Sequence, residues 1–155
     1  MNFYAYTNQS KLFPDTIKHY NGILVKFGET IRDPDTRMNE QGDASESEGK
    51  IKLKKWMNVD LINTDREVHA LFKKLNYTSC GNGKGTEWFA IPANNKDDAI
   101  EIIERCLVQI AETKIRIFNE GIEKSTKNNL INEDKTTSKI TGYENINKRF
   151  KRNME

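Results

Sequence analysis

The sequence predicts an α+β (α/β) domain: a small three-stranded, mainly antiparallel sheet flanked by helices, with a long helix on its C-terminal side. Three observations predict it. Aromatic and branched residues gather in short alternating runs at residues 2–7, 23–28 and 50–59, the period-two signature of strands. Apolar residues recur at spacings of three and four after Thr64 and again after Asp98, as amphipathic helices require. The composition, 35% hydrophobic and 31% charged over 155 residues, supplies one core and leaves part of the chain outside it.

In the first run, NFYAYT, Tyr4 and Tyr6 point one way and Phe3 and Ala5 the other. Residues 8–21 read as a polar loop holding Pro14. Gly22 is then the turn before a second strand, ILVKFG, which ends in a turn at Gly28. Strands so close in sequence pair antiparallel most simply, which puts a tyrosine on the sheet face of Lys26. A short helix with Pro34 in its first turn carries Arg37, and residues 40–49 are small, polar and acidic, as a loop is.

The third strand places Ile51, Leu53 and Met57 on one face and Lys52, Lys54 and Trp56 on a basic outer face. Lysines there guard a strand edge as readily as they meet a polyanion. A helix begins at Asn63 or Thr64, with Glu67 as capping-box partner of Thr64, and buries Val68, Leu71, Phe72 and Leu75. Residues 78–85 are a glycine-rich loop without the Lys-Ser/Thr ending of a phosphate loop. The short strand TEWFAI (86–91) is stopped by Pro92. The last helix starts around residues 94–98 and buries Ile100, Ile103, Leu107, Ile110, the stem of Lys114, Ile117 and Phe118. It stops at Gly121.

This divides the chain into a domain at 1–120 and a polar linker with a short basic tail at 121–155. In the tail, Tyr143, Ile146, Phe150 and Met154 align opposite Lys148, Arg149, Lys151 and Arg152. That basic face suits DNA phosphates or a docking partner, and the segment reads as leading to a further domain. The net charge of +2 does not by itself announce nucleic acid. Cys80 and Cys106 form no CxxC or Cys/His cluster, which argues against zinc. No signal peptide and no apolar run of about 20 residues is present, so a cytoplasmic, non-membrane protein is the expectation.

The residues that carry chemistry centre on 22–41. Lys26 lies in an otherwise apolar strand, where a bare ammonium is normally excluded, and Arg37 follows eleven residues later on a helix. Two cations converging from a strand and a helix suit an anion, phosphate above all. The plainer reading is a snorkelling lysine and a solvated arginine. His69 lies four residues after Asp65 on one side of its helix, as either a functional or a structural histidine. Glu87 stands beside two aromatics, where a carboxylate serves as a ligand or simply faces out.

The order of these motifs resembles the GIY-YIG endonuclease superfamily, in particular the phage and bacterial branch whose second motif reads Lys-Ile-Gly. The motifs are the paired tyrosines, Lys26-Phe27-Gly28, the helix with Arg37, the D-x-x-x-H helix and the EWF strand, covering about residues 2–91. The resemblance implies that Tyr4 or Tyr6 is the first-motif tyrosine, that Lys26 replaces the second-motif tyrosine, and that Gly28 is the motif glycine. It further implies that Arg37 contacts the scissile phosphate and that His69 belongs to the catalytic set. One of Asp65, Glu67 and Glu87 would bind Mg²⁺ (or Mn²⁺); the family's metal-site asparagine finds no counterpart. The implied activity is metal-dependent hydrolysis of DNA. Its rivals are a degenerate fold that binds nucleic acid without cutting and a protein-interaction module.

Overall fold

The computed structural model describes residues 1–40, 49–80 and 87–128. Strand β1 (Asn2–Asn8) leads through a 3₁₀ turn (Ser10–Leu12) and helix α1 (Pro14–Tyr20) to β2 (Ile23–Thr30). Helix α2 (Pro34–Glu40), β3 (Lys50–Trp56), α3 (Asp65–Lys74), β4 (Ser79–Cys80), β5 (Trp88–Ile91) and α4 (Lys96–Asn128) follow. The sheet has five strands, not three, in the order β3-β1-β2-β5-β4, and every pairing is antiparallel. The two additional strands come from the TEWFAI run and from Ser79 and Cys80. A two-residue strand leaves no periodicity to read.

Alternation along β1 and β2 divides the sheet into two buried faces. Phe3, Ala5, Val25 and Phe27 point into the main core with Val68 and Phe72 of α3 and Ile103 and Leu107 of α4. Tyr4 and Tyr6 point to the opposite face, where Met38 of α2 closes over them. Thr7 stays buried on β1 because its hydroxyl donates to the Leu24 carbonyl at 2.7 Å.

Four further expectations are corrected. Residues 8–21 are not a loop: Pro14 opens a helix that Asn21 closes in the left-handed region at φ 54°. Leu12 and Ile17 pack against the core from this segment. Gly22 is required by a close approach, since a Cβ there would lie 2.2 Å from the Ile91 carbonyl oxygen. β2 likewise does not turn at Gly28 but continues to Thr30.

In β3 a bulge at Leu53 breaks the alternation, for Ala5 faces Lys54 while Tyr6 faces Lys52. Trp56 therefore turns into the core instead of joining a basic face. Lys54 turns the same way and pairs with Glu104 of α4.

Finally, α4 runs through Gly121 to Asn128. Gly121 keeps helical backbone, and the chain around it offers Glu120, Glu123 and Lys124, good helix formers that offset the roughly 1 kcal/mol cost of one glycine. The buried stripe of α4 is Ala99, Ile103, Cys106, Leu107 and Ala111, while Ile117 is 59% exposed. Small alanines let the helix approach the sheet closely, which a reading weighted to bulky residues misses. The proposed linker and tail beyond residue 128, with Lys148, Arg149, Lys151 and Arg152, lie outside the described residues. No helix among the described residues is long and apolar enough to cross a membrane.

Candidate functional site

β2 is the central strand, and Lys26 lies just past the end of its pairing with β5. It is 7% exposed. Its cross-strand partner is Tyr6, and its Nζ lies 6.0 Å from the Tyr6 ring centre and 5.9 Å from that of Trp88. Those two rings meet edge to face at 5.6 Å, and Tyr4 stacks beside Tyr6 at 6.3 Å. The ammonium is thus held against aromatic faces, where the ring quadrupoles offset part of its lost hydration. Lys50 approaches the Tyr6 ring and Lys11 the Trp88 ring, at 5.8 and 4.2 Å.

Gly28 belongs to the same cluster. A Cβ at this position would stand 2.5 Å from the Tyr4 hydroxyl oxygen and 2.6 Å from Cζ. Its absence makes room for the phenol, a different reason from the turn that the motif suggested. The tyrosine next to the motif glycine is therefore Tyr4, whereas the one next to Lys26 is Tyr6.

α2 is placed on this face by its acids. Asp35 pairs with Lys52 at 3.2 Å and Lys55 at 3.1 Å, and these hydrogen bonds hold its carboxyl below the usual range. Met38, 1% exposed, seats the helix against the tyrosines. The lysines of β3 that face outward therefore hold a helix. Arg37 is carried on α2 with its side chain 40% exposed and one nitrogen 3.9 Å from Glu40.

Pairing of β2 with β5 runs from Ile23 to Val25, and next to the β2 segment beyond it lies a cleft of about 310 Å³. Lys26, Phe27 and Gly28 form one wall, Asp65, Arg66 and His69 of α3 another, and Glu87 the mouth of β5. The α3 set is a consequence of helical geometry. Residues i, i+1 and i+4 fall within about 100° of one another, whereas i+2 lies about 200° from i. Asp65 and His69, paired by their spacing, are brought to the cleft together with Glu87. Arg37 and Glu67 are not among its lining residues.

His69 Nε2 lies 2.8 Å from the Phe27 carbonyl. A carbonyl only accepts, so Nε2 carries the proton and Nδ1 is the basic nitrogen of the neutral ring. Its ring also leans on Phe89 at 4.9 Å. The histidine is thus both a brace on the β2 backbone and a wall of the cleft.

Glu67 faces the other way. It accepts from the N–H groups of Asn63 at 2.7 Å and Thr64 at 3.2 Å and pairs with Lys114 of α4. Burial raises its pKa, but Lys114 and the two backbone donors outweigh that and hold it below its usual value. It is a capping residue and lies outside the cleft lining. Glu87 remains at the cleft with Lys73 3.5 Å away.

Two residues at this site were not singled out from the sequence. Glu29 accepts from the Asp65 N–H at 3.1 Å, and its pKa is raised, first by burial and then by the Asp65 charge. Its signal was its phase, since it follows Gly28 on the face that α3 covers. Arg66 follows Asp65 directly, and the helical angle between them was the signal available. Among the described residues no group of three or more His, Cys, Asp or Glu side chains gathers as a ready metal cage.

The T5orf172 domain model matches residues 3–107, which include all of the sheet but Asn2 and every cleft residue. The chain belongs to the T5orf172 domain family. No curated protein and no solved structure matches it. Within this T5orf172 domain the match ends at Leu107 on α4, so the cleft lies inside the family unit and the outer part of α4 lies beyond it.

Proposed function

We propose that this T5orf172 domain is a divalent-metal-dependent endonuclease that hydrolyses DNA phosphodiester bonds, with a GIY-YIG-like centre. The observation that carries the reading is Lys26: a cation on the central strand, 7% exposed, in a β2 segment that lines one cleft with Asp65, His69 and Glu87. A fold that needed only stability would place an apolar residue there.

The donor set fits the metal that the reading requires. Asp65 and Glu87 offer hard carboxylate oxygens at one cleft, and Mg²⁺ is commonly bound by one or two carboxylates with its remaining positions filled by water. Those two residues would hold it, and the ion when bound supplies Lewis-acid stabilisation to a phosphoryl oxygen. Lys26 contributes a fixed positive charge where negative charge builds on the phosphate. His69, with Nε2–H committed to Phe27, offers Nδ1 as proton acceptor. Tyr4, seated against Gly28, and Tyr6, stacked beside it, are the phenols nearest the β2 motif, and either would share the proton-transfer role with His69. Arg37, on the tyrosine face, would leave Glu40 to meet the phosphate.

The test is plasmid nicking with Mg²⁺ or Mn²⁺ by wild type, Lys26→Ala and Arg37→Ala. The expected result is metal-dependent nicking that both substitutions abolish. Intact plasmid at every metal concentration would sink the catalytic reading. A second reading, nucleic-acid binding without cleavage, is favoured by the burial of Tyr4 and Tyr6 at 1% and 0% exposure, and salt-dependent binding without nicking would establish it.

A further inference from the structure

Five arginines lie among the described residues, and four of them are met by a carboxylate. Arg32 is gripped by both oxygens of Glu40, at 3.0 and 2.5 Å. Arg37 stands 3.9 Å from the same Glu40, Arg105 pairs with Glu101 at 2.5 Å, and Arg116 with Glu120 at 3.9 Å. Arg66 is the exception: among the described residues no carboxylate is within ion-pair distance of its guanidinium. It is exposed, and it lines the cleft.

Its position in the helix adds to this. Arg66 sits in the first turn of α3, where the partial positive charge of the free N–H groups disfavours a cation. Helix formation therefore gives no reason for an arginine there. Asp65, Glu67 and the basic last turn, Lys73 and Lys74, all follow the dipole rule, and Arg66 alone runs against it. Glu29 is near enough to feel the charge but spends its own hydrogen bond on the Asp65 backbone. The guanidinium is left with its donor fork for an outside partner.

We propose that Arg66 is a substrate-contacting residue, which binds a nucleic-acid phosphate in the cleft from the α3 wall. This deepens the nuclease reading and rests on it for the identity of the ligand. It moves the principal arginine contact from α2 to α3. Arg37 must break from Glu40 to reach a phosphate, and Arg66 need break from nothing among the described residues. A planar guanidinium fork holds a phosphate in one orientation, as a point charge would not.

The experiment is binding of a fluorescein-labelled DNA oligonucleotide by the full chain in EDTA, as a function of salt, for wild type, Arg66→Ala, Arg66→Lys and Arg37→Ala. Binding without metal separates the contact from catalysis. Arg66→Ala is expected to weaken affinity about ten-fold and to lower the slope of log K against log[salt] by about one unit. Arg66→Lys should restore the slope but only part of the affinity, because the charge returns without the fork. Circular dichroism should show both variants melting with the wild type or slightly above it, since a first-turn cation is removed or retained at no packing cost. Wild-type affinity and slope in Arg66→Ala would overturn the assignment, as would an equal loss in a variant whose melting temperature falls. If the wild type binds but cuts no plasmid, the nuclease reading fails while the slope still decides the Arg66 contact. If the wild type shows no salt-dependent binding, both fail.

Discussion

The two faces of one sheet use the same strands for opposite ends. On the α3–α4 side β1 and β2 contribute Phe3, Ala5, Val25 and Phe27 to a dry cluster of hydrocarbon. On the other side, one residue out of phase, they contribute Tyr4, Tyr6 and Lys26, buried as well but ending in a hydroxyl or an ammonium, and Gly28 between them. The first face is interchangeable in detail, since hydrophobic bulk of the right volume serves it. The second specifies individual atoms, down to the hydrogen that Gly28 presents to the Tyr4 ring. Burial alone therefore does not tell the two faces apart; the chemistry of what is buried does.

The largest contrast comes from one substitution on each face. Phe72→Ala, in the core at 0% exposure, is expected to cost about 3–5 kcal/mol in denaturant unfolding. Lys26→Met keeps the volume and removes the charge, so its cost should stay below about 1.5 kcal/mol while nicking falls at least about 100-fold. A Lys26→Met protein as unstable as Phe72→Ala would make Lys26 a structural residue and end the contrast.

An intermediate effect tests the fit on the tyrosine face. Gly28→Ala forces a carbon against the Tyr4 ring and should cost about 1–3 kcal/mol. In a Tyr4→Ala background the same change should cost much less, and a double-mutant cycle by chemical denaturation measures the coupling. Additive costs would mean that Gly28 is needed for some reason other than Tyr4.

These contrasts also show what could be read beforehand. Alternation placed the tyrosines opposite Phe3 and Ala5 and beside Lys26, because a period of two carries across a hydrogen-bonded pair without error. It failed in β3, where the bulge at Leu53 changes phase with no glycine or proline to mark it. The α3 face was legible for Asp65, Glu67 and His69 from 100° per residue alone. Arg66 passed unnoticed because the absence of a partner is a property of three-dimensional neighbours. Arg37 was paired with Lys26 on the strength of charge, while Lys52, which with Lys55 holds its helix in place, was read as part of a strand-edge guard.

The smallest predicted effect separates two glutamates of the α3 N-terminus. Glu67 has its folded pKa lowered below 4.5, so the stabilisation it gives is present above that value and is lost as pH falls through the folded pKa. Glu29 has its folded pKa raised above 4.5, so its ionised form costs stability at neutral pH, and the cost disappears as pH falls toward 4.5. Unfolding free energy measured from pH 7 to pH 3 should lose part of its acid-side decline in Glu67→Gln. In Glu29→Gln it should lose a gain on acidification above pH 4.5. Each change is expected to be about 1 kcal/mol or less. Slopes of the same sign in both variants would show that the two carboxylates share one environment.

The length of α4 has a consequence of a different sort. Its 33 residues make a rod of about 50 Å, and roughly 25 Å of it extends past Ala111, the last of its side chains fully in the core. Such a rod works as a screw thread. One residue inserted beyond Ala111 advances everything after it by about 1.5 Å and turns it by about 100°, while seven residues restore the heading to within about 20°. The distance and heading of Asn128 from the core are thus set by residue count.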